Sequence, residues 1–150
     1  MTTETLKPMS IFVVDDHPLM REAVVMLIRR LNSKANIVEL DRVAAVSPAI
    51  QKHGTPELIC LDLKLPDTHG VSGVRELKLL YPDVPLVVLS ASPALDYEDL
   101  SIEAGADAYI QKSAGATEIT NALRLFLVDD PDAEAGGVPE KLSKRQKQLL

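Results

Sequence analysis

The sequence predicts an α/β fold, a doubly wound five-stranded parallel sheet with helices on both faces. Five short apolar runs, of the kind found in strands buried on both sides, alternate with segments whose apolar residues recur at helical spacing. The length of 150 residues and a hydrophobic content of 46% fit one domain with one core. Because the chain has no Trp, three Tyr and two Phe, that core must be mainly aliphatic.

The strand and helix patterns follow one another in strict alternation. The predicted strands are 10–14, 35–40, 58–61, 85–89 and 108–110. The helical patterns lie at about 19–31, 48–54, 71–80, 95–104 and 119–127.

Two of the helical patterns are weak. In the second, Ser47 followed by Pro48 favours a helix start and Gly54 favours a stop. The fourth is acidic and only faintly amphipathic, and Gly105 ends it.

Charge and composition divide the chain into four parts. Residues 1–130 carry 12 basic and 19 acidic residues, whereas 131–150 carry four basic and three acidic ones. All four basic residues of the second part lie in the last ten positions. We therefore predict an N-terminal tail (1–9), a globular domain (10–128), a linker rich in Pro, Gly and acid (129–140) and a basic segment (141–150).

Several functional classes are excluded or disfavoured. One cysteine cannot form an internal disulfide and suits a reducing compartment. The longest apolar run, 23–28, is far shorter than the roughly 20 residues that cross a bilayer, and residues 1–9 have no apolar signal region. We expect a cytoplasmic protein without a membrane partner, and the acidic body should not bind nucleic acid by itself.

Polar side chains stand where the strands end. Asp15 and Asp16 follow the first strand, Asp62 the third, Ser90 the fourth and, one residue on, Lys112 the fifth. Ligands of open α/β sheets bind outside the carboxyl ends of the strands, where the strand order switches. An order of 2-1-3-4-5 would place strands one and three side by side there. The three carboxylates would then share one pocket with a hydroxyl and an ammonium group.

Three carboxylates in one cleft repel each other, and a hard divalent cation relieves that repulsion. Mg²⁺ fits best, because it takes few carboxylates and often binds phosphate oxygens. An Asp carboxylate can also attack phosphorus and form an acyl phosphate. The pattern indicates Asp62 as the phosphoryl acceptor and Asp15 and Asp16 as metal ligands, with Lys112 and Ser90 near the phosphoryl oxygens.

The residues around these positions resemble the receiver domain of bacterial two-component response regulators, over about residues 10–128. The motifs are Asp15-Asp16-His17-Pro18, Leu61-Asp62-Leu63-Lys64-Leu65-Pro66-Asp67-Thr68-His69-Gly70, Leu89-Ser90-Ala91 and Tyr109-Ile110-Gln111-Lys112. The first motif resembles the NarL-like subfamily with LuxR/FixJ-type helix-turn-helix output. The segment 142–150 resembles the start of that output domain, and we expect the chain to be truncated within its first helix.

The resemblance implies a flavodoxin-like (βα)5 fold and a phosphoryl group received from a sensor histidine kinase on Asp62. It implies that Asp16 and Asp62 bind Mg²⁺ directly, Asp15 mostly through water and the Lys64 carbonyl as a further ligand.

The resemblance also implies a switch. Lys112 would pair with Asp62 or its phosphate, Ser90 would turn toward the phosphoryl oxygen, and Tyr109 would change rotamer with it. The output face would be the fourth helix, fifth strand and fifth helix. The whole protein would bind DNA through its output domain, as a possible homodimer, and would act as a signalling protein rather than an enzyme.

Two alternatives stay open. One is a receiver that binds a partner without phosphorylation. The other is a haloacid-dehalogenase-type phosphatase, which also uses an Asp nucleophile with Mg²⁺ but needs a second acid two residues after it, where this chain has Lys64. His17, His53 and His69 lack metal-ligand spacing, so we expect them at the surface, with His17 and His69 near the pocket rim.

Overall fold

The fold is an open sheet of five parallel strands in the order β2-β1-β3-β4-β5, as the sequence predicts. The coordinates are a computed structural model and describe residues 8–127. The strands are β1 (Ser10–Val14), β2 (Asn36–Leu40), β3 (Leu58–Leu61), β4 (Leu86–Ser90) and β5 (Ala108–Gln111).

Five α-helices connect and cover the strands. They are α1 (Pro18–Leu31), α2 (Val46–His53), α3 (Ser72–Leu80), α4 (Ala94–Glu103) and α5 (Ala116–Leu127). Within the described residues, no helix combines the length and the apolar character needed to cross a membrane. The predicted linker (129–140), the basic segment (141–150) and residues 1–7 of the predicted tail lie outside the described residues.

Two apolar clusters lie on opposite faces of the sheet. Alternate residues of β1 point to opposite sides: Phe12 and Val14 pack with α2 and α3, whereas Ile11 and Val13 pack with α1 and α5. β1, β3 and β4 are almost entirely buried, which explains why their sequences are continuous apolar runs.

The start of the second helix differs from the prediction. The helix begins at Val46 rather than at Pro48, directly after a 3₁₀ turn at Val43–Ala45. The carboxylate of Asp67 accepts hydrogen bonds from two backbone N–H groups of that turn, at 3.1 and 2.9 Å. This contact comes from the loop after β3, so no local pattern could reveal it. The predicted stop is confirmed, because Gly54 takes a φ of 91° at the end of the helix.

Strand register brings the first and third strands together at the predicted switch point. β1 and β3 are neighbours, and Val14 is paired with Leu61. The next residues, Asp15 and Asp62, therefore leave the sheet side by side, and the Asp62 N–H donates to the Val14 carbonyl at 3.0 Å. The fold thus places two carboxylates at one edge of the sheet.

Candidate functional site

The acidic residues predicted from the strand ends form one cluster. Asp15 and Asp62 are 3% and 4% exposed, and the Asp16 side chain is partly exposed beside them. One oxygen of each carboxylate and one nitrogen of His17 all lie within 4.8 Å of one another. Buried carboxylates are rare without a counter-charge, so this cluster requires nearby cations.

Lys112 supplies one of these cations. It follows β5 and extends its nearly buried side chain between two carboxylates. Its Nζ lies 2.8 Å from Asp15 Oδ2 and 3.5 Å from Asp62 Oδ2. The resemblance implies a pair with Asp62, whereas the shorter contact in the structure is to Asp15.

This asymmetry has an electrostatic consequence. Burial acts to raise the pKa of Asp15, but hydrogen bonds from Lys112 and the His17 N–H outweigh it, so that pKa lies below its ordinary value. Burial also raises the pKa of Asp62, the charge of Asp15 adds to the rise, and Lys112 only partly opposes it. Asp62 is therefore the carboxylate whose negative charge is compensated less.

Asp16 and Lys64 complete the pocket. Asp16 Oδ1 is buried but has no hydrogen-bond partner among the described residues. The Lys64 backbone N–H donates to Asp62 Oδ1 at 3.3 Å, which fixes the chain close to the predicted acceptor. Three carboxylates with an oxygen left without a hydrogen bond match the oxygen ligands that Mg²⁺ prefers.

His17 is a surface residue at the rim of the site, as expected, and its ring contacts the acidic cluster. Its side chain is 62% exposed, but its Nδ1 lies 3.2 Å from Asp15 Oδ1, 3.2 Å from Asp16 Oδ1 and 3.7 Å from Asp62 Oδ2. Spacing along the chain did not show how closely His17 approaches Asp62, because Asp62 lies after another strand. The usable signal was that His17 directly follows the paired acids.

The predicted switch residues meet at the loop after β4. Ser90 is fully buried, and its Oγ accepts a hydrogen bond from the Ser92 N–H at 3.0 Å. The Tyr109 hydroxyl points inward and donates to the Ser92 carbonyl at 2.8 Å. Burial raises the pKa of that hydroxyl, which keeps it a donor. Both residues therefore hold the backbone of Ser92, one at its N–H and the other at its carbonyl, and sequence reasoning did not single out Ser92.

Gln111 holds the next part of the same loop. No side chain of the residue preceding α4 caps that helix, but Gln111 Oε1 accepts the Ala94 N–H at 2.9 Å. Gln111 Nε2 also donates to Ser113 Oγ at 2.8 Å. Two residues of β5, Tyr109 and Gln111, thus fix the chain that leads from β4 into α4.

Replacing Tyr109 by Phe tests this arrangement. We expect the free energy of unfolding to fall by about 1 kcal/mol, because the Ser92 carbonyl loses a buried hydrogen bond. Urea denaturation followed by circular dichroism measures the change. Tyr97→Phe is the control, since the Tyr97 hydroxyl makes no hydrogen bond within residues 8–127. Equal effects of the two substitutions would show that the Tyr109 hydrogen bond contributes nothing.

Comparison with known proteins identifies the family. The chain matches the response regulator receiver domain over residues 11–124. It is 31% identical over 117 residues to the glycerol metabolism activator of Pseudomonas putida, an overlap that covers 78% of this chain and 53% of that protein. The chain therefore spans about half the length of this curated relative.

Solved structures share the fold. A two-component response regulator of the LuxR family from Aurantimonas sp. SI85-9A1 gives a TM-score of 0.71 at 23% identity, covering 93% of this chain and 99% of that chain. The BeF3-activated N-terminal receiver domain of Klebsiella pneumoniae RstA gives 0.69 at 26% identity, covering 79% and 97%. Because the family match spans most of the chain and coincides with the strand-end acidic cluster, this chain belongs to the response regulator receiver domain family.

Proposed function

We propose that this domain is a phosphorylation switch in which Asp62 accepts a phosphoryl group from a sensor histidine kinase. The observation that carries the proposal is the position of Asp62. It is a buried carboxylate next to two other acids, and Lys112 neutralises it less well than its neighbour Asp15. A carboxylate that is less closely paired with an ammonium group has an oxygen free to attack phosphorus.

The transfer is a displacement at phosphorus. An oxygen of Asp62 forms the new O–P bond while the P–N bond of a phosphohistidine breaks. The electron pair of the broken bond leaves with the imidazole nitrogen, and no oxidant or reductant is needed. Lys112 stays within reach of both the carboxylate and the incoming phosphoryl oxygens, so it stabilises the charge that moves onto them.

Receiver domains bind Mg²⁺ at an acidic pocket, and the residues of this chain fit that ion. We assign Asp16 and Asp62 as direct ligands, Asp15 as a ligand acting mostly through water and the Lys64 carbonyl as a further ligand. The fit rests on the three converging carboxylates and on the buried Asp16 oxygen without a hydrogen bond. Bound Mg²⁺ supplies positive charge that offsets the negative phosphoryl oxygens.

The signal would leave the pocket through the loop after β4. A phosphoryl oxygen on Asp62 offers Ser90 a new acceptor, and a hydroxyl that turns toward it gives up its contact with the Ser92 N–H. Tyr109 holds the carbonyl of the same residue, so it has to follow the change. The rearranged loop leads directly into α4, which makes α4, β5 and α5 the proposed output face.

The proposed partners follow from the family. They are a sensor histidine kinase and DNA, the latter bound through a LuxR-type output domain outside this chain, with a homodimer as a possible active form. The family is typically a signalling rather than an enzymatic one, and we propose that this chain likewise turns over no substrate of its own. A cytoplasmic location suits a protein that exchanges phosphoryl groups with a kinase and controls DNA binding.

Intact-mass measurement after incubation with acetyl phosphate tests the proposal. We expect one phosphoryl adduct that depends on Mg²⁺ in the unaltered protein and its complete loss in Asp62→Asn, which keeps the shape but removes the nucleophile. Asp83→Asn, at an exposed acid far from the pocket in sequence, is the matched control and should keep the adduct. An adduct that persists in Asp62→Asn would overturn the assignment. No adduct in the unaltered protein would favour a receiver that binds partners without phosphorylation.

A further inference from the structure

We propose that Arg21 is a positioning residue of the phosphorylation site, which holds the peptide group between Asp15 and Asp16 so that Asp16 is placed to bind Mg²⁺. The proposal starts from two hydrogen bonds of one guanidinium group. Arg21 Nη1 donates to the Asp15 carbonyl at 2.6 Å, and Arg21 Nε donates to Glu39 Oε1 at 3.0 Å. The inference rests on the proposed function in taking Asp16 as a Mg²⁺ ligand.

The Asp16 side chain has little to hold it in place. Its Oδ1 is buried and has no hydrogen-bond partner among residues 8–127, although His17 Nδ1 lies 3.2 Å away. The Asp15 carboxylate, by contrast, accepts hydrogen bonds from the Lys112 ammonium group and from the His17 N–H. The position of the Asp16 carboxylate therefore depends on its backbone more than the position of the Asp15 carboxylate does.

The backbone immediately before Asp16 is held on both sides. The Asp15 N–H donates to the carbonyl of Leu40, at the end of β2, at 2.9 Å. The Asp15 carbonyl, which accepts from Arg21, belongs to the peptide group whose nitrogen is that of Asp16. Because a peptide group is planar, fixing its oxygen also fixes the direction in which the chain enters Asp16.

Glu39 keeps the guanidinium group in this orientation. The side chains of Arg21 and Glu39 are 21% and 45% exposed, and an ion pair so close to the surface adds little stability of its own. The guanidinium group is planar and its donors have fixed directions, so a second hydrogen bond restricts its rotation. Strand β2 contributes no carboxylate to the acidic cluster, and through Glu39 it orients the cluster from outside.

Calorimetric titration of Mg²⁺ into the whole chain tests the inference with Arg21→Met. We expect the dissociation constant to rise by about 10- to 100-fold, the usual effect of removing a group that orients a metal ligand. Arg29→Met is the matched control. Arg29 also lies in α1, and its Nη1 donates to the Ala35 carbonyl at 3.1 Å, but Ala35 precedes β2 at the opposite end of the sheet from the pocket. The Mg²⁺ dissociation constant of Arg29→Met should match that of the unaltered protein, and equal constants for the two variants would overturn the inference.

A second pair of variants separates positioning from a loss of folding. Glu39→Ala keeps the Arg21 donor but removes the contact that orients it. We expect the Mg²⁺ dissociation constant to rise by a smaller factor than in Arg21→Met, with an unchanged circular dichroism spectrum, since Glu39 is exposed. Glu22→Ala removes an exposed acid of α1 and controls for the loss of one negative charge. If Arg21→Met does not fold, Glu39→Ala decides, and a dissociation constant equal to that of Glu22→Ala would refute the role of Arg21.

Intact-mass measurement with acetyl phosphate distinguishes failure of this inference from failure of the proposed function. The Mg²⁺ concentration that gives half of the maximal Asp62 adduct should rise in Arg21→Met in parallel with the dissociation constant. If the unaltered protein forms the Mg²⁺-dependent adduct and Arg21→Met binds Mg²⁺ equally well, only the present inference fails. If the unaltered protein binds no Mg²⁺, the assignment of the metal ligands fails and this inference fails with it.

Discussion

Replacing Lys112 by methionine is expected to lower the free energy of unfolding by about 3–5 kcal/mol in metal-free buffer at neutral pH. The ammonium group is nearly buried and lies within 3.5 Å of two carboxylates that are themselves buried. Without it, Asp15 and Asp62 remain as like charges out of water with their closest cation removed. Methionine retains most of the length and the packing of the lysine stem, so the loss reports the charge.

Urea denaturation in the presence of a chelator measures this effect, and Lys64→Met is the matched control. Lys64 is an exposed lysine at the same pocket, and its removal should change stability by no more than about 0.5 kcal/mol. Added Mg²⁺ should return part of the stability lost in Lys112→Met, because a bound cation again offsets the carboxylates. Equal stabilities of the two variants would show that Lys112 does not compensate the buried acids.

The second prediction is that Asp15→Asn and Asp62→Asn change the free energy of unfolding in opposite directions. Asp15→Asn should lower the free energy of unfolding by about 1.5–3 kcal/mol, because it removes the charge-assisted hydrogen bond with Lys112. Asp62→Asn should raise it by on the order of 1 kcal/mol. The native pocket disfavours the ionised form of Asp62, as its raised pKa indicates, and the neutral amide relieves both burial of the charge and repulsion by Asp15.

Both variants are compared with the unaltered protein by urea denaturation at neutral pH with a chelator present. With Mg²⁺ in excess the gain in Asp62→Asn should shrink, since the ion stabilises the carboxylate but binds the amide less well. If Asp62→Asn destabilises the metal-free protein, Lys112 does not compensate the charge of Asp15 more than that of Asp62. Equal stability of Asp15→Asn and the unaltered protein would contradict it as well.

The sequence by itself determined the architecture. Each strand is a run of apolar residues bounded by turn-forming or polar ones, and each long helix has one apolar stripe. The sequence therefore shows which segments are strands and which are helices. The family motifs then fixed which strands are neighbours. Once that order was known, the convergence of Asp15, Asp62 and Lys112 followed, because parallel strands end at the same edge of a sheet.

The sequence predicted the start of a helix less well where a residue of another element binds the backbone at that start. The start of α2 was misplaced by two residues because the turn before it is held by Asp67, which lies in the loop after β3. The start of α4 depends in the same way on Gln111 of β5. In both cases the group that satisfies the backbone lies far along the chain, and helix-start rules consider only the adjacent residues.

Only the tertiary structure decided how the charges in the pocket are shared. The sequence brought an ammonium group near three acids, but the distances that favour Asp15 over Asp62 depend on the path of the loop after β5. The same holds for His17, whose Nδ1 comes within 3.7 Å of Asp62 Oδ2 although the two residues follow different strands. Sequence patterns specify which elements meet. The energies of ion pairs and hydrogen bonds depend on the distances between the interacting atoms. Packing of the whole domain sets those distances.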